Sequence, residues 1–125
     1  MIARTKQFAL RTMKLVGALP KTIQGRAIGS QLMRSGTSMA ANYRAACRAR
    51  SKAEFISKLG TVEEEADESA FWLELIIEGE LLIESQVRPL LTEASELVAI
   101  TAASKKTASA TLPRSQIANR KSQIS

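Results

Sequence analysis

The chain has 125 residues, enough for one domain, and 45% of them are hydrophobic, so it can bury a core. It has one cysteine, Cys47, and no histidine, which excludes disulfide frameworks, zinc fingers, Cys–His nucleophile pairs and histidine general bases. Aromatic residues make up 4%, too few for a base-stacking platform, whereas the net charge of +6 favours a polyanionic partner.

The charges are segregated along the chain. Residues 1–53 carry eleven basic side chains and no acidic one, residues 54–100 carry all twelve acidic side chains, and residues 101–125 carry five basic ones. If the first two segments pack together, their charges nearly cancel and the excess lies near the C-terminus. There is no secretory signal and no apolar run that would span a membrane, so we expect a cytoplasmic protein.

Apolar residues recur every three or four positions through nearly the whole chain, which predicts an all-α fold. A first helix spans about residues 4–19 and ends at Pro20. A second begins near the capping residue Thr22 and runs to residue 47 or 50. Its apolar face includes Ser35 and Asn42, which need hydrogen-bond partners when buried, and we interpret them as core residues that fix the register between helices.

Ser51 is the predicted cap of a third helix, with Glu54 completing a capping box. The apolar stripe of this helix is the cleanest in the sequence and consists of Phe55, Leu59, Val62, Ala66, Ala70, Leu73 and Ile77. After a break near residues 84–86, a fourth helix extends at most to Pro113. Four helices with short connections predict an antiparallel up-down four-helix bundle over residues 1–110, followed by a basic, disordered tail at 111–125.

Five basic residues lie within an arc of about 80° along the second helix, opposite its apolar face. This basic stripe consists of Arg26, Arg34, Arg44, Arg48 and Lys52. Guanidinium groups bind phosphates through paired hydrogen bonds, so the stripe is a candidate site for the backbone of RNA or DNA. The same arginines can instead pair with the acidic side of the third helix, in the same subunit or in a neighbour.

The second half of the third helix carries a further apolar group, opposite its main stripe. Phe71, Leu75 and Leu82 lie on this side and, with Trp72, form a candidate interface between subunits. A single small bundle would leave such side chains in water, so the pattern predicts self-association.

No residue pattern points to catalysis or to a cofactor. Glu64 and Glu68 are one helical turn apart, but di-metal bundles use a Glu-x-x-His spacing, so we expect no metal site. The glycines form no phosphate-binding loop or dinucleotide motif, so we expect no cofactor. Cys47 is expected to be a small buried residue. Without a nucleophile, base or metal constellation, the protein is not expected to be an enzyme.

Three segments resemble the four helix bundle proteins, also known as 23S rRNA intervening-sequence proteins. They are LVGALP at 15–20, QLMRSGTSMAANYRAACRARSKAEFISKL at 31–59 and EEADESAFWLELI at 64–76. The matching motif positions are Arg34, Ser35, Asn42, Tyr43, Arg44, Ser51, Glu54, Phe55, Lys58 and Leu59. The chain departs from the pattern at Ala45, where an acidic residue is common, at Gly79 and in the tail.

The resemblance implies a four-helix subunit assembled as a homopentameric ring. The chain is also similar to the accessory protein of diversity-generating retroelements, a basic pentameric barrel that associates with a reverse transcriptase and nucleic acid. None of the matching positions is an established catalytic residue. Two functions are therefore expected: a non-enzymatic bundle that binds RNA or DNA backbone within a ribonucleoprotein, or a scaffold that docks a partner enzyme such as a reverse transcriptase without binding nucleic acid.

Overall fold

The structure is a computed structural model that describes residues 1–110. It contains four helices: α1 (Ile2–Ala18), α2 (Ile23–Cys47), α3 (Lys52–Glu78) and α4 (Glu84–Ala110). No β-strand occurs in this part of the chain, so the all-α prediction is confirmed. The tail predicted at 111–125 lies outside the described residues.

Capping side chains set the starts of α2 and α3. Thr22 Oγ1 accepts a hydrogen bond from the Gly25 amide, and Ser51 Oγ accepts one from the Glu54 amide, both at 3.1 Å. The Glu54 carboxylate in turn accepts from the Arg50 amide at 3.2 Å. The bonds to Thr22 and Ser51 satisfy amides that have no partner within the first helical turn, and the two predicted helix starts are confirmed. The Glu54 carboxylate binds the Arg50 amide and not the Ser51 amide, so the second bond of the predicted capping box is displaced by one residue.

α4 begins earlier than the sequence predicts. The connection between α3 and α4 covers residues 79–83, not 84–86. Gly79 caps α3 and Glu80 adopts a left-handed φ of 57°, which turns the chain away from the helix axis. Pro89 stands inside α4, where it removes the amide hydrogen that would bond the carbonyl of Ser85.

Connections of four or five residues make successive helices antiparallel. Each helix packs on its neighbours in the chain, and α1 also contacts α4, which closes the bundle. α1 and α3 therefore lie on one diagonal of the bundle, and α2 and α4 on the other. The core draws on all four helices, and its largest fully buried apolar side chains include Phe8, Leu32, Met39, Ile56, Leu59, Leu73, Ile76 and Leu97.

α3 buries a wider arc than its predicted stripe because it packs between α2 and α4. Phe55 and Ile77, at the two ends of the stripe, are only half-buried. Ile56, Ser69 and Ile76 lie outside the stripe and have no exposed surface. The central part of the stripe is buried as predicted, namely Leu59, Val62, Ala66, Ala70 and Leu73.

The two polar residues on the apolar face of α2 find different partners. Ser35 Oγ lies 2.8 Å from Ser69 Oγ of α3, so this buried pair links two helices across the core. Asn42 donates from Nδ2 to the carbonyl and the hydroxyl of Ser38, one turn earlier in its own helix. Within residues 1–110, a hydrogen bond to another helix, as a register role requires, is therefore present for Ser35 and absent for Asn42.

Candidate functional site

The basic stripe is not continuous in the structure. Arg26 and Arg44 are exposed on α2, and Arg48 is the exposed C-cap residue of that helix. No ion pair joins these three arginines to a carboxylate within residues 1–110, and we call them the unpaired α2 arginines. Lys52 lies on a different helix, because α2 ends at Cys47 and α3 begins at Lys52, and it makes an interaction of its own.

Arg34, the fifth residue of the stripe, is engaged by α3. Its Nη1 lies 3.0 Å from Glu65 Oε2 and its Nη2 lies 2.7 Å from Glu68 Oε1. The hydrogen bond between Arg34 and Glu68 is the main reason why the pKa of Arg34 is raised and that of Glu68 is lowered. Arg34 therefore pairs with the acidic side of the third helix, which was the alternative to phosphate binding.

Further ion pairs join the other helices. Arg4 of α1 donates two hydrogen bonds to Glu93, from Nε to Oε2 and from Nη2 to Oε1, both at 2.7 Å. Its Nη2 also donates to Glu96 Oε2 at 2.8 Å. The hydrogen bond from Arg4 is the main cause of the lowered pKa of Glu93. Lys105 of α4 lies 2.7 Å from Glu63 of α3. These pairs neutralise charges along helix contacts and leave the unpaired α2 arginines facing solvent.

Two of the unpaired α2 arginines border a groove between α1 and α2. The groove measures about 560 Å³ and is lined by Ile2, Lys6, Ala40, Ala41, Arg44, Cys47 and Arg48. Sequence reasoning missed Lys6 because it lies on another helix, where no spacing rule connects it to α2. Cys47 is exposed here, so its prediction as a buried residue is wrong. The groove presents three cationic groups above small alanine side chains, which suits an anionic ligand.

The predicted subunit-interface residues differ in exposure. Phe71 is 50% exposed, and its ring meets the half-buried Trp72 edge to face, with ring centroids 5.0 Å apart. Leu75 is half-buried on α3, whereas Leu82 lies in the α3–α4 connection and packs partly on the core. Ile83, 70% exposed, was not predicted because it lies beyond the periodic pattern of α3.

Within residues 1–110, no three or more His, Cys, Asp or Glu side chains come together as a metal site would require. In the same part of the chain, no helix has the length and hydropathy of a membrane span.

Protonation of Glu68 and Glu93 should lower the free energy of unfolding. Both have a lowered pKa in the folded state, so the unfolded chain binds their protons more readily. Their contribution is fully present above the unfolded pKa, about 4.3, and is lost as the pH falls through the lower folded pKa values. We expect urea midpoints to fall on acidification below about pH 5, and to fall less steeply for Arg4→Met and Arg34→Met. If both variants lost stability on acidification as steeply as the wild type, protonation of Glu68 and Glu93 would not be the cause of the acid sensitivity.

A family model for the 23S rRNA-intervening sequence protein matches residues 1–103. The chain belongs to this family. The resemblance found in the sequence is thereby confirmed. One solved structure, a protein of unknown function from the S23 ribosomal protein family of Bacteroides thetaiotaomicron, is 32% identical with a TM-score of 0.78, covering 84% of this chain and 97% of that one. No curated protein matches the chain.

Several residues that carried the resemblance have structural partners in this intervening-sequence protein. Ser51 caps α3, Ser35 bonds Ser69, and Arg34 holds two carboxylates of α3. Arg44 matches the same motif but is exposed and has no ion pair within residues 1–110. Arg44 is therefore a motif residue that these contacts do not explain, which makes it the first candidate for binding a ligand.

Proposed function

We propose that this intervening-sequence protein is a non-enzymatic, cytoplasmic, homo-oligomeric bundle that binds the sugar-phosphate backbone of RNA or DNA within a ribonucleoprotein. The unpaired α2 arginines are the binding groups. The observation that supports the proposal is that Arg26, Arg44 and Arg48 are exposed and lack carboxylate partners within residues 1–110. Arg4 and Arg34, by contrast, are already held by glutamates.

The chemistry of these side chains favours binding to the backbone over reading of bases. A guanidinium donates two parallel hydrogen bonds to a phosphate, and each phosphate contact releases counterions. The groove beside Arg44 and Arg48 has no aromatic lining on which a base would stack. Binding should therefore weaken steeply with salt and depend little on sequence.

Assembly would repeat the arginines around one surface. The resemblance implies five subunits in a ring, and half-exposed Phe71 supports contact between subunits. Several weak phosphate sites on one particle bind a single strand with an avidity well above that of one site.

Arg44→Glu/Arg48→Glu tests the proposal directly. We expect its affinity for a short RNA at 0.1 M salt to fall at least about tenfold, and the salt dependence to become shallower, because at least two phosphate contacts are lost. Fluorescence anisotropy at several salt concentrations measures both. The matched control is Arg88→Glu/Lys106→Glu, which makes the same charge change at exposed residues of α4 and should stay within about threefold of wild type. Equal losses in both variants would contradict a localised site.

A second function is a scaffold that docks a partner enzyme, such as a reverse transcriptase, without binding nucleic acid. The observation that favours it is the exposure of Phe71 and Ile83, at 50% and 70%. It predicts no salt-dependent RNA binding by the wild-type protein and capture of one protein partner that persists at high salt.

A further inference from the structure

Four carboxylates that lack a partner within residues 1–110 lie on one side of α3. Glu64, Asp67, Glu74 and Glu78 are exposed on α3 and make no ion pair or hydrogen bond within the described residues. They surround Phe71, half of whose surface is exposed. We call these five residues the acidic α3 face. It is an apolar centre with a carboxylate rim.

α1 carries a face of the opposite charge. Leu10 and Met13 are 47% and 48% exposed on its outer side. Lys6 and Lys14 flank them, are exposed, and make no ion pair within residues 1–110. We call these four residues the basic α1 face. Like the acidic α3 face, it combines exposed apolar side chains with unpaired charges, but its charges are positive.

The topology prevents one molecule from joining its own two faces. α1 and α3 lie on a diagonal of the bundle, since both pack against α2 and α4. Their outer sides therefore point in opposite directions, and each subunit can engage one neighbour through α1 and another through α3. At 1.5 Å per residue, Lys6 to Lys14 spans about 12 Å and Glu64 to Glu78 about 21 Å, so the basic α1 face fits within the length of the acidic α3 face.

We propose that the occupant of the acidic α3 face is the basic α1 face of a second copy of this chain, with Leu10 and Met13 packed around Phe71 and the lysines beside the carboxylates. The inference rests on the assembly part of the proposed function and not on nucleic-acid binding. Because the two faces differ, the contact is head-to-tail and closes into a ring when the rotation between subunits permits. Lys6 also lines the groove beside Arg44 and Arg48, so this contact borders two of the unpaired α2 arginines.

Light scattering coupled to size-exclusion chromatography tests the contact. We expect Phe71→Glu to raise the dissociation constant of the assembly at least tenfold, because a charge replaces the apolar centre among like charges. Ile23→Glu is the control, since Ile23 is 87% exposed on α2 and belongs to neither face, and this variant should keep the wild-type mass. Circular dichroism checks that both variants remain helical.

A charge exchange makes the test specific. Lys6→Glu/Lys14→Glu and Glu74→Lys/Glu78→Lys should each reduce the mass, whereas the chain with all four changes should regain part of it, because positions 6 and 14 can again pair with positions 74 and 78 while Glu64 and Asp67 keep their negative charge. An unchanged mass for Phe71→Glu, or no recovery in the fourfold variant, would overturn the contact. A monomeric wild type would overturn both the contact and the proposed assembly. RNA binding by Arg44→Glu/Arg48→Glu reports on the nucleic-acid part separately.

Discussion

Replacing Phe8 with alanine should lower the free energy of unfolding by about 3–5 kcal/mol. Phe8 has no exposed surface and belongs to the core formed by all four helices. α1 is the shortest helix of the bundle, with 17 residues against 25 or more in the others, so it depends strongly on this side chain. Removing the ring leaves a cavity among residues of the neighbouring helices, which the backbone fills only in part.

Urea denaturation measures the effect of Phe8→Ala, with all variants compared at one protein concentration because assembly contributes to apparent stability. The control is Gln7→Ala, the exposed neighbour on the same helix, which should change the free energy by less than about 0.5 kcal/mol. A loss below about 1 kcal/mol for Phe8→Ala would contradict the described packing of α1.

Gly36→Val should also destabilise the fold, by about 1–3 kcal/mol. A Cβ atom at Gly36 would lie 3.0 Å from both Cγ2 and Oγ1 of Thr12, because α1 and α2 approach closely at this point. Valine adds two further methyl groups to that contact and forces the helices apart. Gly17 offers a control within a helix, since nothing lies within 4 Å of a Cβ placed there, and Gly17→Val should be nearly neutral.

A second substitution, at Thr12, tests whether the predicted destabilisation by Gly36→Val comes from contact with this residue. Thr12→Ala removes the atoms that collide, and within the described part of the chain the buried Thr12 hydroxyl has no hydrogen-bond partner to lose. Urea midpoints of Gly36→Val/Thr12→Ala should therefore show a smaller loss than the sum of the two single variants. Strict additivity would show that the two helices do not meet at this pair.

Most of the helix boundaries were predictable because local chemistry determines them. Pro20 ends α1 because its ring restricts the backbone and removes an amide hydrogen. Thr22 and Ser51 start α2 and α3 because their hydroxyls accept a hydrogen bond from the amide three residues later. The start of α4 was misplaced because the turn depends on the left-handed conformation of Glu80, which its residue type does not favour.

The candidate site was only partly predictable, since ion pairing depends on which helices meet. Spacing along α2 grouped Arg34 with Arg44 and Arg48, but only the packed structure brings Glu65 and Glu68 of α3 to Arg34. The same packing brings Lys6 of α1 to the groove beside Arg44 and Arg48, 38 or more positions away in the sequence. Helical periodicity describes one helix at a time and carries no information on such neighbours.

We propose that the arginines of α2 bind a polyanion while other faces hold the subunits together. Native mass spectrometry of Arg44→Glu/Arg48→Glu mixed with a short RNA tests it most directly, because one spectrum reports both subunit number and bound RNA. We predict the same subunit number as in the wild-type protein and little or no bound RNA. Wild-type amounts of bound RNA, or dissociation into single subunits, would contradict the claim.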